Sequence, residues 1–398
     1  MAERVRFKNV LAVREFRAMW LAELCSIAGD QLARVALSVL VFQRTESAFL
    51  TGLTYALTFV PALAGGILLG GLGDRYPRRE VMVAADLARA VLLGLMALPG
   101  MPLAVLCALV AVTTFLNGPF KAAQQALLPD VLDGEKYTAG MAIRNITSQA
   151  AQLAGFAGGG ALIAAINPPV ALALDAGTFL ASALLLQRGV KQRPAPASTE
   201  TRMSFWASSA VGAQIVWRDP ALRVLLGLCW LAGFYVVPEA LAAPYAGDMG
   251  PVAVGLIMAS DPIGSVIGGI VFGKWVPEST QVRVIGVLGV LAGVPLVFCL
   301  LAPGLAVSML LFACSGLFAT AYNIQGTASF VRRLPDERRA QGAGLLSSGL
   351  ITVQGLGALG AGLLADQLGP APAVALAGAA GAVVAVPIAV GWSRARRG

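Results

Sequence analysis

Residues 70–79 read GGLGDRYPRR, and this short polar stretch decides how the rest of the chain is interpreted. It separates two apolar runs, near 49–73 and 80–98, each long enough to cross the hydrocarbon core of a bilayer as a helix. Five of its ten residues are charged or aromatic-polar, which is the composition of a water-exposed turn. The stretch therefore predicts a loop between two transmembrane helices.

The composition of the whole chain is that of a membrane protein. Its 398 residues are 57% hydrophobic and 13% charged, whereas soluble globular domains carry about 25% charged residues. Mean hydropathy is +0.77. Most of the chain is therefore expected to be solvated by lipid.

Apolar runs between charged or Pro/Gly-containing breaks predict twelve transmembrane helices, because each span needs about 20 residues. The first six runs lie near 17–42, 49–73, 80–98, 102–127, 138–165 and 168–187. The second six lie near 219–245, 251–275, 283–301, 304–330, 340–365 and 371–391. The expected fold class is an all-α integral membrane protein with twelve transmembrane helices in two pseudo-symmetric six-helix bundles.

An internal repeat supports that division. The run QLAGFAGGGAL at 152–162 matches QGLGALGAGLL at 354–364 at a constant offset of 202 (354 − 152). The predicted domains are an N-terminal bundle at 1–187, a Pro-rich cytoplasmic linker at 188–218 and a C-terminal bundle at 219–398. Two parallel six-helix repeats are an architecture of transporters.

The distribution of basic residues predicts the topology. Turns at 99–102, 167–169, 247–250, 302–304 and 366–370 contain no Lys or Arg, whereas the alternate loops are rich in both. Cytoplasmic loops carry the excess of Lys and Arg, so both termini are expected in the cytoplasm of a bacterial cell, with the chain in the inner membrane. The net charge of +8 then follows from these loops, and nucleic-acid binding is not expected.

Individual residues of the 70–79 loop have distinct expected roles. Gly70 and Gly73 allow helices to approach closely, and Asp74 can cap a helix or pair with an arginine. Three arginines would hold the loop at anionic headgroups or acidic partners: Arg75, Arg78 and Arg79. A loop that only sets topology is the simpler alternative.

This loop resembles the signature loop of the major facilitator superfamily, in sequence and in its position between the second and third spans. Pro77 stands where that family usually has Gly. The resemblance extends over essentially the whole chain, and it implies a secondary transporter that works by alternating access.

Shorter stretches resemble the proton-coupled exporters of drugs and siderophores within this superfamily. The fifth span contains the glycine-rich run GFAGG, with Phe156 in place of the usual proline, and its glycines are predicted to pack helices closely: Gly155, Gly158 and Gly159. Residues 20–32 and 126–130 also resemble those exporters. The resemblance implies a drug:proton antiporter, although close helix packing alone would equally explain the glycines.

Ionisable residues inside the spans are candidate coupling or cavity residues, because a charge in the bilayer usually faces a partner or a water-filled cavity. Asp30 and Arg34 are expected at mid-depth of the first span, one turn apart, where they could form a pair. The other candidates are Asp175, Glu239 and Asp261. Asp86 and Arg89, three apart on one helix face, are predicted to form a structural ion pair.

With no His in the chain, the acidic residues would have to carry any coupled proton, and no metal site or catalytic nucleophile is expected. The predicted function is efflux of a hydrophobic or cationic small molecule, driven by the proton gradient without another cofactor. Aromatic and Met side chains could line an apolar cavity: Phe59, Phe234, Tyr235 and Met258. An uptake symporter on the same fold and a non-transporting membrane receptor or assembly protein remain alternatives, and the sequence leaves the substrate and oligomeric state open.

Overall fold

The computed structural model describes residues 7–195 and 205–396, and in this part of the chain the regular structure is helical. In chain order the helices are α1 (Phe7–Leu11), α2 (Arg14–Thr45), α3 (Ala48–Ala56), α4 (Val60–Leu69), α5 (Leu72–Arg75), α6 (Arg78–Met96), α7 (Leu103–Phe115), α8 (Asn117–Val131), α9 (Gly134–Ala165), α10 (Pro168–Gly189), α11 (Phe205–Arg218), α12 (Pro220–Trp230), α13 (Ala232–Tyr235), α14 (Val237–Ala240), α15 (Ala242–Ala246), α16 (Gly250–Trp275), α17 (Glu278–Val297), α18 (Leu305–Arg333), α19 (Arg339–Leu368) and α20 (Pro370–Ala395). Short 3₁₀ turns lie at Gly247–Met249, Phe298–Leu301 and Asp336–Arg338.

Ten helical stretches within the described residues are long and apolar enough to cross a membrane. They are Arg14–Thr45, Ala48–Arg75, Leu103–Val131, Pro168–Gly189, Pro220–Ala240, Ala242–Trp275, Glu278–Leu301, Leu305–Arg333, Gln341–Leu368 and Pro370–Ala395. The two other predicted spans are also helical, as α6 and α9. Because these two carry more charged and polar side chains, length and composition alone do not identify them. The all-α membrane fold is confirmed, with twelve helical stretches at the twelve predicted positions.

The chain divides into two compact units. Unit 1 comprises Met1–Leu40 and Val60–Glu200, and unit 2 comprises Val41–Phe59 and Thr201–Gly398. The end of α2 and the whole of α3 thus belong with the second unit. Helix α3 packs on α19, where the Asp366 carboxylate accepts hydrogen bonds from the Ala48 N–H at 2.6 Å and the Ser47 hydroxyl at 2.9 Å.

Part of the predicted linker is regular structure. Helix α10 continues to Gly189, and α11 occupies 205–218, where Gly212 lies against α19. Residues 196–204 of the predicted linker lie outside the described residues. The division into bundles at 188–218 therefore stays a prediction.

The repeated glycines have matching environments in the two units. A Cβ on Gly155 of α9 would lie 3.0 Å from the carbonyl oxygen of Ala28, and one on Gly357 of α19 would lie 1.8 Å from that of Gly233. Gly158 and Gly360, three residues later, both face open space. The 202-residue repeat seen in the sequence thus corresponds to the same helix contact in both units.

Candidate functional site

Unit 1 contains a group of four ionisable side chains, here named the arginine-centred cluster: Asp30, Asp86, Arg89 and Asp175. Asp30 and Asp86 contact the Arg89 guanidinium, and Asp175 lies within electrostatic range of Asp30 and Arg89. The Arg89 Nη2 donates to both carboxylate oxygens of Asp30, at 3.1 and 3.3 Å. Its Nη1 lies 3.8 Å from the Asp86 Oδ1, so the predicted Asp86–Arg89 ion pair is confirmed. The guanidinium also lies 3.9 Å from the ring centroid of Phe179, in cation–π geometry.

Three of these four side chains are sealed from solvent. Asp86 and Asp175 are 0% exposed and Arg89 is 2% exposed, whereas the Asp30 side chain is 32% exposed. Asp30 is therefore the member of the cluster that is partly exposed.

Asp175 is held against the backbone of α2. A Cβ on Gly29 would lie 2.0 Å from the Asp175 Oδ1, so only glycine permits this approach. The Thr178 hydroxyl lies 3.0 Å from the same oxygen, and the Asp175 Oδ2 has no hydrogen-bond partner among the described residues. In the same cluster, the Ser182 hydroxyl donates to the Asp86 Oδ2 at 2.5 Å, while the Asp86 Oδ1 has no hydrogen bond within the described chain.

The predicted partner of Asp30 was Arg34, on the same helix. The structure brings Arg89 from α6 to Asp30, and the Arg34 Nη1 donates to the Gln31 amide oxygen at 3.3 Å among its interactions. The pair between Asp30 and Arg34 stays a prediction. Spacing along one helix could not identify Arg89, because the contact depends on how α2 packs against α6.

Unit 2 contains a second group of polar side chains, here named the tyrosine–carboxylate cluster: Tyr55, Glu239, Asp261 and Ser265. The Tyr55 hydroxyl of α3 donates a short hydrogen bond to the Glu239 carboxylate of α14, and the Glu239 charge acts on Asp261 of α16. The Ser265 hydroxyl lies 3.4 Å from the Asp261 Oδ2 and accepts from Thr320 at 2.7 Å. Both carboxylates are partly exposed.

Sequence reasoning singled out both acids of this cluster but not Tyr55. The ring of Tyr55 lies 5.3 Å from that of Phe59, centroid to centroid, so an aromatic surface adjoins the two acids. A carboxylate pair with an aromatic neighbour can bind either protons or an organic cation. This is the chemistry that a drug:proton exchange site needs.

An apolar cavity of about 570 Å³ lies in the same unit, between α12, α13, α19 and α20. Its lining includes Trp230, Phe234, Val237, Leu356 and Leu376. Phe234 thus lines a cavity, as predicted. Tyr235 instead donates its hydroxyl to the Gly289 carbonyl at 2.6 Å, and Met258 is fully buried.

The 70–79 loop forms ordered contacts within unit 1. The Arg78 Nη1 donates to the Asp130 carboxylate at 2.6 Å and to the Ala126 carbonyl at 2.8 Å. Arg79 binds the end of α10 through the Val190 carbonyl at 3.2 Å. Gly73 is buried, with Ala123 at van der Waals distance from a Cβ placed on it.

The residues of this loop contribute unequally. A Cβ on Gly70 would lie 2.2 Å from the Gly66 carbonyl oxygen, which explains the glycine, and Asp74 lies within the one-turn helix α5. Arg75 is exposed. Gating by these residues stays a prediction. In the structure, Arg78 and Arg79 connect the start of α6 to α8 and to the end of α10.

Comparisons with known proteins agree with this fold. The sequence profile of the Major Facilitator Superfamily matches residues 19–245 and 232–398. The multidrug efflux pump Tap of Mycobacterium tuberculosis is 27% identical over 379 residues, which cover 87% of this chain and 86% of Tap.

Two solved structures illustrate the likeness of the fold. A POT family transporter in complex with 5-aminolevulinic acid has a TM-score of 0.76 at 12% identity, covering 96% of each chain. The nucleoside transporter NupG has a TM-score of 0.73 at 14% identity, covering 94% of this chain and 98% of NupG. At such low identity these structures support the fold alone.

This chain belongs to the Major Facilitator Superfamily. It is a multi-pass membrane transporter of a small molecule, and it is not an enzyme.

Proposed function

We propose that this protein is a proton-coupled exporter of hydrophobic or cationic small molecules, acting as an antiporter in the bacterial inner membrane with both termini in the cytoplasm. The observation that carries the proposal is the tyrosine–carboxylate cluster, in which two partly exposed acids lie within electrostatic range of each other. The 27% identity to a multidrug efflux pump supports export of drug-like compounds.

The two acids of this cluster provide a physical basis for exchange. Two carboxylates close together in a membrane are stabilised by any cation that reaches them, either a proton or a positively charged substrate. A substrate cation bound to Glu239 and Asp261 competes with the proton for the same charge. Because each excludes the other, the site carries substrate on its outward step and protons on its inward step. This is antiport by alternating access.

The apolar cavity of unit 2 would accommodate the hydrophobic part of the substrate. Its volume of about 570 Å³ lies within the range of roughly 300–1,000 Å³ typical of small-molecule sites. Val237, which lies in the cavity wall, is two residues before Glu239 in the chain. A ligand with an apolar body and a cationic group would combine the chemistry of the cavity with that of the two acids.

Inverted membrane vesicles with an imposed pH gradient, interior acid, test this proposal with ethidium as the probe. The wild-type protein is expected to accumulate ethidium inside the vesicles, whereas Asp261→Asn and Glu239→Gln abolish the dependence on the gradient. Asp248→Asn, an exposed acid in the 247–250 turn, serves as the matched control with unchanged transport. Wild-type accumulation that ignores the pH gradient would contradict proton coupling, and accumulation driven in the opposite direction would identify an uptake symporter.

A further inference from the structure

The arginine-centred cluster of unit 1 contains three acidic side chains and one basic side chain. The exchange proposed for the tyrosine–carboxylate cluster gives these charges no role. Two carboxylates, Asp30 and Asp86, contact the Arg89 guanidinium, and the completely buried Asp175 lies within electrostatic range of it. Arg34, one turn beyond Asp30, donates to Gln31 among its interactions. Lys121 of α8 adds a charge that acts on Asp86, although its ammonium lies 3.1 Å from Glu23, which also binds Arg144.

The fully buried carboxyl oxygens lack sufficient partners. The Asp175 Oδ2, the Asp86 Oδ1 and the Arg89 Nε have no hydrogen bond within the described residues. An ionised buried group without hydrogen bonds is costly. A bound proton would neutralise such a carboxylate and remove this cost.

Unit 2 shows that the helix packing itself does not need these charges. Helices α6 and α17 both begin after an N-cap proline, Pro77 and Pro277, and α10 and α20 begin after Asn167 and Gly369. The glycine contacts of α9 and α19 align Ala28 of α2 with Gly233. Counting from these points gives the matched pairs Asp30 with Tyr235, Asp86 with Gly286, Arg89 with Gly289, and Asp175 with Ala377.

Contacts within unit 2 confirm that this register is correct. The Tyr235 hydroxyl donates to the Gly289 carbonyl, which is the counterpart of the contact between Asp30 and Arg89. A Cβ on Gly381, the residue that matches Phe179, would lie 2.7 Å from the Tyr235 ring. In unit 2 a neutral side chain and a backbone carbonyl therefore make the contact that Asp30 and Arg89 make in unit 1, so this contact does not require charges.

We propose that the arginine-centred cluster is a second proton-binding site, in which Asp175 holds the proton, Arg89 is the counter-ion of Asp30 and Asp86, and the partly exposed Asp30 passes the proton to and from water. The inference depends on the proposed function only for its consequence in transport. Proton binding converts the Asp175 carboxylate to the acid, and the proton returns to solvent through Asp30 when the site opens. The buried Asp86 shares the charge of Arg89.

Infrared difference spectroscopy of the purified full chain in lipid nanodiscs tests the site without a substrate, because a protonated carboxyl has a C=O band separate from that of a carboxylate. The reference protein carries Glu239→Gln and Asp261→Asn, which removes the acids of unit 2. At neutral pH this reference is expected to retain a protonated-carboxyl band, and adding Asp175→Asn should remove the intensity of one carboxyl per chain. Adding Asp248→Asn should leave the band unchanged.

Thr178→Val provides a second readout if Asp175→Asn does not fold. The hydroxyl of Thr178 lies 3.0 Å from the Asp175 Oδ1, and valine has nearly the same shape. Loss of this hydrogen bond should shift the C=O band in frequency without reducing its intensity. A reference protein with no protonated-carboxyl band, or a band that neither Asp175→Asn nor Thr178→Val alters, would overturn the proposal.

Transport separates this inference from the proposed function. In vesicles with the wild-type acids in unit 2, the slope of the ethidium gradient against the pH difference gives the number of protons exchanged per ethidium. We expect this number to fall by one in Asp175→Asn. A slope of zero in the wild type would contradict proton-coupled export. The infrared experiment would still test whether Asp175 binds a proton, because it uses no substrate. An undiminished slope in Asp175→Asn would show that Asp175 carries no transported proton.

Discussion

The same position in the two units is occupied by a charged cluster in one and by a neutral contact in the other. In unit 1 Arg89 binds Asp30 under Phe179, and in unit 2 Tyr235 binds a backbone carbonyl beside Gly381. Unit 2 has its acids elsewhere, with Glu239 at the position that matches Arg34. A duplicated architecture thus keeps a helix contact while it places its charges at different positions.

The largest expected effect is that of Arg89→Ala. This change removes the one guanidinium of the arginine-centred cluster and leaves buried carboxylates without a counter-ion, which typically costs about 3–5 kcal/mol. Thermal unfolding in detergent should show this loss, and Arg89→Lys should recover part of it. If Arg89→Ala unfolds at the wild-type temperature, the acids of the cluster must be protonated when Arg89 is absent.

Tyr55→Phe tests the corresponding contact of the tyrosine–carboxylate cluster. A hydrogen bond to a charged group contributes about 1.5–3 kcal/mol, so we expect a loss in this range. A double-mutant cycle with Glu239→Gln, measured by thermal unfolding, isolates the pair. Additive effects of the two substitutions would argue against a direct bond between these side chains.

The repeated glycines provide a matched comparison between the units. Gly357→Ala places a Cβ 1.8 Å from a backbone oxygen, and overpacking of this kind costs about 1–3 kcal/mol. Gly155→Ala should cost less, because its nearest contact, the Gln31 Cβ, is at 2.8 Å and the Ala28 carbonyl oxygen is at 3.0 Å. Gly158→Ala and Gly360→Ala, which face open space, should leave the unfolding temperature unchanged, and equal losses at all four positions would refute the proposed equivalence.

The smallest effect is expected at the N-cap of α12, outside the membrane spans. Burial raises the pKa of Asp219, but hydrogen bonds from Arg333 at 2.7 Å and from the Ala221 N–H outweigh it and hold the pKa below its ordinary value. Such a lowered pKa stabilises the fold above the unfolded-state value of about 3.9, and the contribution disappears as pH falls through the lower folded-state pKa.

Asp219→Asn retains a capping oxygen and removes the charge, so a loss of about 0.2–1 kcal/mol is expected at neutral pH. The difference in unfolding temperature between Asp219→Asn and the wild type should shrink towards acid pH. A difference that is constant with pH would show that the ion pair with Arg333 contributes nothing to stability.

Much of the fold could be predicted from hydropathy, because spans of about 20 apolar residues are a direct consequence of bilayer thickness. Two of the twelve predicted spans, α6 and α9, carry polar side chains that bind other helices, such as Arg89 and Arg144. The acids Asp30, Asp175, Glu239 and Asp261 were identifiable because charges in apolar runs are rare. Their partners were not, since Arg89, Tyr55 and Gly29 gain their roles only through contacts between distant segments.

The sequence by itself determined the membrane class, the helix positions, the repeat and the family, since each follows from local composition or from order along the chain. Only the tertiary structure decided that Asp175 lies against Gly29, that Arg89 binds Asp30, and that Tyr55 binds Glu239. These contacts join residues from 59 to 184 positions apart in the chain. Their geometry depends on how the helices pack, which no spacing along a single helix can specify.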